Sequence, residues 1–286
     1  MPTLYVVATP IGNLGDMTPR AIETLKSVSL IAAEDTRVTM KLCNAFDIPT
    51  PLTSCHEHNE RGKAAQIVAR MLEENIDVAV TTDAGTPCIS DPGSILTAEA
   101  VKAGIDVVAV PGPTAMASAL SVSGLDVTEF TFFGFLPRQK SELKEKLLDM
   151  ARRSKTAVVH ESPHRVMDLL SVVKETLPAT LVSASCDLTK KYEKTIRGSV
   201  SAVLEELQNN PKADKGEYCI VFQWAAEDIP APEAAKSELS LEAQIFDGII
   251  RGLSLRESME ELTARGERKN AVKAAGLKVK TMLEGE

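Results

Sequence analysis

Short apolar runs alternate with helix-spaced segments along the first half of the chain. Residues 4–8, 30–33, 52–56, 78–81 and 107–110 read as five strands, most of them apolar at successive positions, as strands covered on both faces are. Between them, residues 18–27, 38–46, 61–74 and 94–103 carry apolar side chains at helical spacing. Pro111-Gly112-Pro113 breaks the chain, and a helix restarts over 114–122. This alternation predicts an α/β fold with a parallel, doubly wound sheet.

After Gly124 the pattern changes. An aromatic β-prone run at 130–135 precedes a charged helix over 141–153, a strand at 156–160, a helix at 165–176 and a strand at 181–186. Runs at 195–200 and 218–224 complete a second, mixed sheet. Residues 226–240 are rich in Ala, Pro, Glu and Ser and read as a linker, and 241–251, 255–264 and 269–283 as short helices parted near Gly252 and Gly266. The expected organisation is two α/β lobes, 1–113 and 114–225, followed by the linker and a helical tail over 241–286.

No stretch approaches the length of a membrane span, and the start lacks a charged, cleavable leader, so a cytoplasmic protein is expected. The five cysteines are odd in number and form no CxxC pair, which reads as reduced thiols. A net charge of −8 argues against nucleic-acid binding by the whole surface. Two stretches run the other way: residues 138–155 carry seven basic against three acidic side chains, and 265–280 six against one. Each reads either as a solvated helix face or as a place for a phosphate backbone.

The densest chemistry follows the fourth strand. Residues 82–93, Thr-Asp-Ala-Gly-Thr-Pro-Cys-Ile-Ser-Asp-Pro-Gly, form a constrained Gly/Pro/Asp loop where an α/β sheet builds its ligand crevice. Thr9–Asp16, Glu34-Asp35-Thr36-Arg37, His56–Glu60 and Pro111–Ala115 reach the same edge from the other strands. Glu34-Asp35-x-Arg37 reads equally as an ion pair closing a strand–helix turn or as a substrate contact. His160-Glu161-Ser162-Pro163-His164-Arg165, ending a strand of the second lobe, is open in the same way. There is no GxGxxG after the first strand, no GxxxxGK[ST] and no GxSxG. His56 and His58 with Glu57 and Glu60 suggest a metal, but alternate residues of an extended segment point apart, so no metal is expected.

Taken in order, these segments resemble the bacterial ribosomal RNA small-subunit methyltransferase I family of the tetrapyrrole-methylase superfamily. The resemblance rests on Leu4–Asp16, Glu34–Arg37, His56–Glu60, Asp83–Gly93, Pro111–Ala115, Ser123–Leu125, Phe130–Pro137, Glu161–Arg165, Leu188–Lys190 and Lys215–Glu217, and spans about residues 4–224. It implies two αβα lobes, a homodimer, S-adenosylmethionine in the cleft between the lobes, and methylation of a cytidine 2′-hydroxyl in 16S ribosomal RNA near the decoding site of the small subunit. By position it implies cofactor contacts at Ile11, Asp83, Ala84, Gly85, Thr86, Thr114, Ala115, Glu161 and Leu188. For the methyl acceptor, Asp35 or His56 is expected to act as base or orienting group. Arg37 and Asn13 would hold phosphate or ribose, and Lys190, Arg138 and Lys140 the RNA backbone. The superfamily's usual GxGxGD opening is replaced here by Thr9-Pro-Ile-Gly-Asn-Leu-Gly-Asp16. A small-molecule methylase of tetrapyrrole type and a cofactor-binding assembly factor without turnover are the alternatives.

Overall fold

Strand order explains why so many polar loops share one edge. In a computed structural model, which describes residues 1–229 and 239–284, β1 (Thr3–Val7), β2 (Leu30–Ala33), β3 (Leu52–Ser54), β4 (Val78–Thr81) and β5 (Asp106–Val110) pair in the order β3-β2-β4-β1-β5. Every pairing is parallel, with Leu4 opposite both Val78 and Val107. Helices α1 (Pro19–Ser27), α2 (Thr36–Ala45), α3 (Glu60–Glu74) and α4 (Ser94–Lys102) are the crossovers. The chain leaves β1 toward β2 and leaves β4 in the other direction, toward β5. The reversal lies between β4 and β1, where an open α/β sheet has its crevice.

Period-two alternation fills both faces of this sheet. Leu4, Leu30, Ala32, Val78 and Val80 enter one apolar layer with Ile67 and Met71 of α3 and Leu96 of α4. Their neighbours Val7, Ile31 and Ala79 enter the opposite layer with Ala21 and Leu25 of α1 and Cys43 of α2.

The second sheet is mixed. Strands β6 (Thr131–Phe135), β7 (Thr156–Glu161), β8 (Leu181–Cys186), β9 (Lys194–Ser199) and β10 (Tyr218–Gln223) run in the order β6-β7-β10-β8-β9, and only β6 and β7 are parallel. One face packs on α6 (Lys140–Arg153), α7 (Val166–Thr176) and α8 (Val200–Gln208), with Leu147, Leu170, Val203, Val159, Ile220 and Phe222 in one core. The other face receives α5 (Ala115–Val122), whose Ala119 and Leu120 meet Val158, Cys219 and Val221.

Two expectations need correction. Helix α8 was not anticipated, and the strand expected over 195–200 ends at Ser199, whose side chain accepts from Ala202 N–H and caps the helix. Strand β3 stops at Ser54, and the chain turns over residues 57–59. His56 and His58 therefore do not point apart; their rings meet edge to face with centroids 6.0 Å apart.

The chain divides into two compact units, Met1–Ile229 and Pro230–Glu286. In the second, α9 (Leu241–Ile250), α10 (Leu255–Ala264) and α11 (Lys269–Glu284) enclose Ile245, Leu262, Val272 and Val279. Ser254 and Glu257 close a capping box at the start of α10. Of the expected linker, Ala226–Asp228 is a single 3₁₀ turn, and residues 230–238 lie outside the described residues. Among the described residues no helix is long and apolar enough to cross a membrane.

Candidate active site

The loops after β1 and β4 are tied together at the switch point. Thr9 N–H donates to Gly85 O at 2.8 Å, and Gly85 N–H returns to Thr9 O at 3.0 Å. Gly85 sits at φ +87°, a left-handed conformation that strains any side-chain-bearing residue, and a Cβ there would lie 3.3 Å from Ile11 Cγ2. Across the gap, the register sets Tyr218 opposite both Glu161 and Cys186. The carboxyl ends of β7 and β8 and the start of β10 thus form one rim of the second sheet.

Between these rims lies a cavity of about 540 Å³, within the ~300–1,000 Å³ range of small-molecule sites. Ile11, Ala84, Gly85, Thr86, Thr114, Ala115, Glu161 and Leu188 all line it. These are eight of the nine residues that the family resemblance implied as cofactor contacts. Its apolar wall continues into the α5 core through Met116 and Phe132.

Asp83, the ninth, is not in the lining. Its Oδ1 accepts from Asp35 N–H at 3.1 Å, while Glu34 Oε2 accepts from Thr82 Oγ1 at 2.5 Å and from Asp83 N–H at 3.1 Å. Burial, and then Glu34, raises the Asp83 carboxyl. Asp91, in the lining, is pushed up to about 6 by burial and by the Glu34 and Asp83 carboxylates.

Glu161 is 3% exposed. Its Oε1 accepts from Ser162 N–H at 2.8 Å, but its Oε2 has no hydrogen bond, the Arg165 guanidinium lying 3.4 Å away. Burial pushes this carboxyl above its ordinary value. Arg165 itself is spent on the Leu136 and Pro137 carbonyls, fastening the end of β6 to the start of α7. Lys190 Nζ holds Asp187 Oδ1 and Glu217 Oε2, each at 2.9 Å. With Asp91, Glu161, Asp187 and Glu217 against Lys190, and His160 held toward neutrality by burial, the lining is acidic. An acidic, largely apolar chamber with one buried carboxylate oxygen that accepts no hydrogen bond suits a cationic, amphipathic ligand; the ammonium and sulfonium of S-adenosylmethionine fit that description.

The residues expected to handle the acceptor, Lys190 apart, lie outside the chamber. Asp35 caps α2, accepting from Arg37 N–H at 2.8 Å, and its carboxylate pairs with the Arg37 guanidinium. The Arg37 side chain, 87% exposed, holds Asp35 at about 2. The pair adjoins the cavity loop through the Asp35–Asp83 bond. His56 is half-buried with Nδ1 unpartnered, and its N–H donates to Asn59 Oδ1. Asn13 Oδ1 accepts from Gly15 N–H and caps a 3₁₀ turn. Arg138 is exposed beyond β6, and Lys140 pairs with Glu175 on α7. Of the expected RNA contacts, only Lys190 lines the cavity.

Sequence reasoning picked out Asp91 as an acceptor for hydroxyls or a cation and left the His160 group open, but gave Asp187 and Glu217 no part in the wall. Asp91 lies in the loop it singled out, but Asp187 and Glu217 meet only through a β8–β10 pairing that the chain's local pattern does not reveal. Among the described residues no group of three or more His, Cys, Asp or Glu side chains could hold a metal ion.

Two separate five-stranded sheets with a cavity between their rims form the frame, and the sequence match gives it the class of a methylase. Residues 3–204 match the Tetrapyrrole (Corrin/Porphyrin) Methylases, and the chain belongs to that family. Solved structures agree on the fold: a diphthine synthase superposes with a TM-score of 0.60 at 11% identity, covering 77% of this chain and 90% of that one. The methyltransferase CobJ gives 0.57 at 18%, covering 79% and 95%. Within the family the sequence groups with proteins named Ribosomal RNA small subunit methyltransferase I. That of Bacillus subtilis (strain 168) is 40% identical over 262 residues, 91% of this chain and 89% of the relative. That of Pseudomonas aeruginosa is 38% identical over 275 residues, 94% of each.

Proposed function

We propose that the protein transfers the methyl group of S-adenosylmethionine to the small-subunit ribosomal RNA, at the 2′-hydroxyl of a cytidine near the decoding site. The observation that carries this reading is the convergence on one acidic cavity of eight residues picked out by resemblance to that RNA-methylating branch. The named activity of relatives about 40% identical over nine-tenths of the chain supports the RNA acceptor.

When bound, the cofactor supplies an electrophilic methyl on a positively charged sulfur. The protein's part is alignment and exclusion of water. The paired loops at Thr9 and Gly85 offer backbone groups at the carboxyl edge of the first sheet, and Glu161 and Asp91, both in the lining, would hold the cofactor's cationic groups. Phe132, Leu188 and Met116 keep the chamber apolar where charge is to be transferred. The Asp35–Arg37 pair adjoins this chamber without entering it, a position suited to a ribose and its phosphate; Asp35 there orients the hydroxyl or takes its proton.

The same reading places the protein in the cytoplasm as a homodimer acting on the small ribosomal subunit. Its test is methyl transfer from labelled cofactor to small subunits from cells lacking the enzyme, followed by nucleoside analysis. A 2′-O-methylated cytidine is expected. Label on a free tetrapyrrole and none on the subunits would replace this reading with small-molecule methylation.

A further inference from the structure

The turn joining β8 to β9 carries more than the cavity wall. Residues 187–193 hold two non-glycine residues in the left-handed region, Asp187 at φ +52° and Thr189 at φ +67°. Left-handed backbone is costly for a β-branched residue, of order 1 kcal/mol or more. Thr189 Oγ1 is moreover buried without a partner. The conformation is braced all the same: Thr189 N–H donates to Glu193 Oε2 at 2.6 Å, Lys190 N–H to Asp187 O, and Glu193 N–H to Lys190 O. One side of this strained turn sends Leu188 and Lys190 into the cavity. Its other side presents Tyr192, 72% exposed, the most exposed aromatic side chain given for the described residues.

Tyr192 is not a bare surface tyrosine. Lys191 Nζ lies 5.4 Å and Lys212 Nζ 5.5 Å from its ring centroid. Both lysines are exposed, and neither pairs with a carboxylate within 4 Å among the described residues. Lys212 comes from the segment that goes on to Gly216 and Glu217 of the cavity wall. An exposed ring flanked by two ammoniums, on a turn braced by its own hydrogen bonds and sharing Leu188 and Lys190 with the cavity wall, combines two attractions of single-stranded nucleic acid. The π-face takes a base, and the cations take the adjoining phosphates.

We propose that Tyr192, with Lys191 and Lys212, is a stacking platform for an unpaired nucleobase of the substrate RNA beside the methyl-transfer cavity. A base arriving on the ring displaces an ammonium from its face toward the flanking phosphates, so stacking and charge neutralisation occur together. The strained turn then couples the platform to Lys190 and Leu188, holding the strand in register with the chamber. This inference rests on the RNA reading above, and its experiment separates the two.

The first arm measures binding of a single-stranded RNA oligonucleotide of about ten nucleotides, a length matched to one such groove. Tyr192→Trp is expected to retain binding and to show a fluorescence change on titration. Tyr192→Ala should weaken binding about 5- to 50-fold, and Lys191→Ala with Lys212→Ala should flatten the salt dependence by about one to two phosphate contacts. The second arm measures transfer to small subunits, where Tyr192→Ala should raise the KM for subunits with cofactor affinity unchanged. Wild-type oligonucleotide binding and subunit KM in Tyr192→Ala would overturn the platform, even with methylation intact. Absence of transfer to subunits by the unaltered enzyme, with oligonucleotide binding still lost in Tyr192→Ala, would instead remove the functional reading and leave the platform standing.

Discussion

Lys190 lies across Gly12: a Cβ on residue 12 would fall 2.5 Å from Lys190 Cγ and 3.0 Å from its Cε. The first loop of the parallel sheet and the strained turn of the mixed sheet therefore meet where one has no side chain and the other a long one. Lys190 is held there by Asp187 and Glu217.

Gly12→Ala tests that crossing. Gly12 sits at φ +154°, a conformation rare for a residue with a side chain, and the added methyl meets Lys190 near its backbone end, so the fold should lose about 1 kcal/mol or more. Lys190, however, must leave its position, and the wall it forms shifts with it. Cofactor affinity measured calorimetrically should fall about 3- to 10-fold. The defect should be smaller in Gly12→Ala made on a Lys190→Ala background, because neighbours that share one contact do not act additively. Strictly additive losses would show that the crossing does not shape the cavity.

A second tie anchors the cavity loop from behind. The Glu60 carboxylate, 4% exposed, accepts from Gly93 N–H and Ile95 N–H at 2.9 Å and from Leu96 N–H at 3.2 Å. It thereby caps α4 from another helix, adding charge at the positive end of the helix dipole. Glu60→Ala leaves these buried donors without an acceptor and should cost about 2–4 kcal/mol in urea unfolding. Glu60→Gln keeps one acceptor oxygen and should cost about half as much. Equal losses from the two variants would mean that packing, rather than the hydrogen bonds, makes Glu60 matter.

Glu60 also marks where sequence reasoning stops. The strands were legible because burial on both faces imprints apolar runs, as in Leu30–Ala33 and Val78–Thr81, and the helices because apolar positions recur on one face. Helix α8 carries its own signal in Ser199 and the spacing of Val200, Val203, Leu204 and Leu207, but the strand-like stretch before it masks the boundary, and the helix was not anticipated. The cavity was legible only through resemblance, which named residues dispersed over some 180 positions. What Glu60 does depends on Gly93, and what Asp187 does depends on Glu217, and pairings across 30 residues follow from topology rather than from local pattern. His56, Glu57, His58 and Glu60 looked like one cluster; in the fold Glu60 turns away into a helix cap.

Asp35 separates two roles that a sequence cannot tell apart. Asparagine caps a helix about as well as aspartate, and the Arg37 partner is exposed to solvent, so Asp35→Asn should leave the unfolding midpoint nearly unchanged. It removes the charge that pairs with Arg37, beside the loop that Asp83 ties to Asp35 N–H. Turnover should drop at least tenfold with cofactor affinity nearly unchanged, since Asp35 does not line the cavity. A parallel loss of cofactor binding would move its role to the assembly of the Asp83 loop.

Asp91 predicts a pH dependence with a definite sign. In the unfolded chain its carboxyl titrates near the ordinary 3.8, whereas in the fold burial and the Glu34 and Asp83 carboxylates raise it to about 6. Between these values the folded protein holds more protons than the unfolded one, so stability falls as pH rises from about 4 to about 6. Above that window the penalty is complete. Two pKa units set a ceiling of about 3 kcal/mol, which partial exposure to solvent reduces to about 1. Asp91→Asn removes the titration and should therefore unfold at a higher temperature than the unaltered protein at pH 8 and at nearly the same temperature at pH 4. A cationic ligand reaching the ionised carboxylate should release a proton near pH 6, giving a buffer-dependent binding heat that the Asn variant lacks. The same stability gap at both pH values would show that Asp91 does not carry the strain of the Glu34, Asp83 and Asp91 cluster.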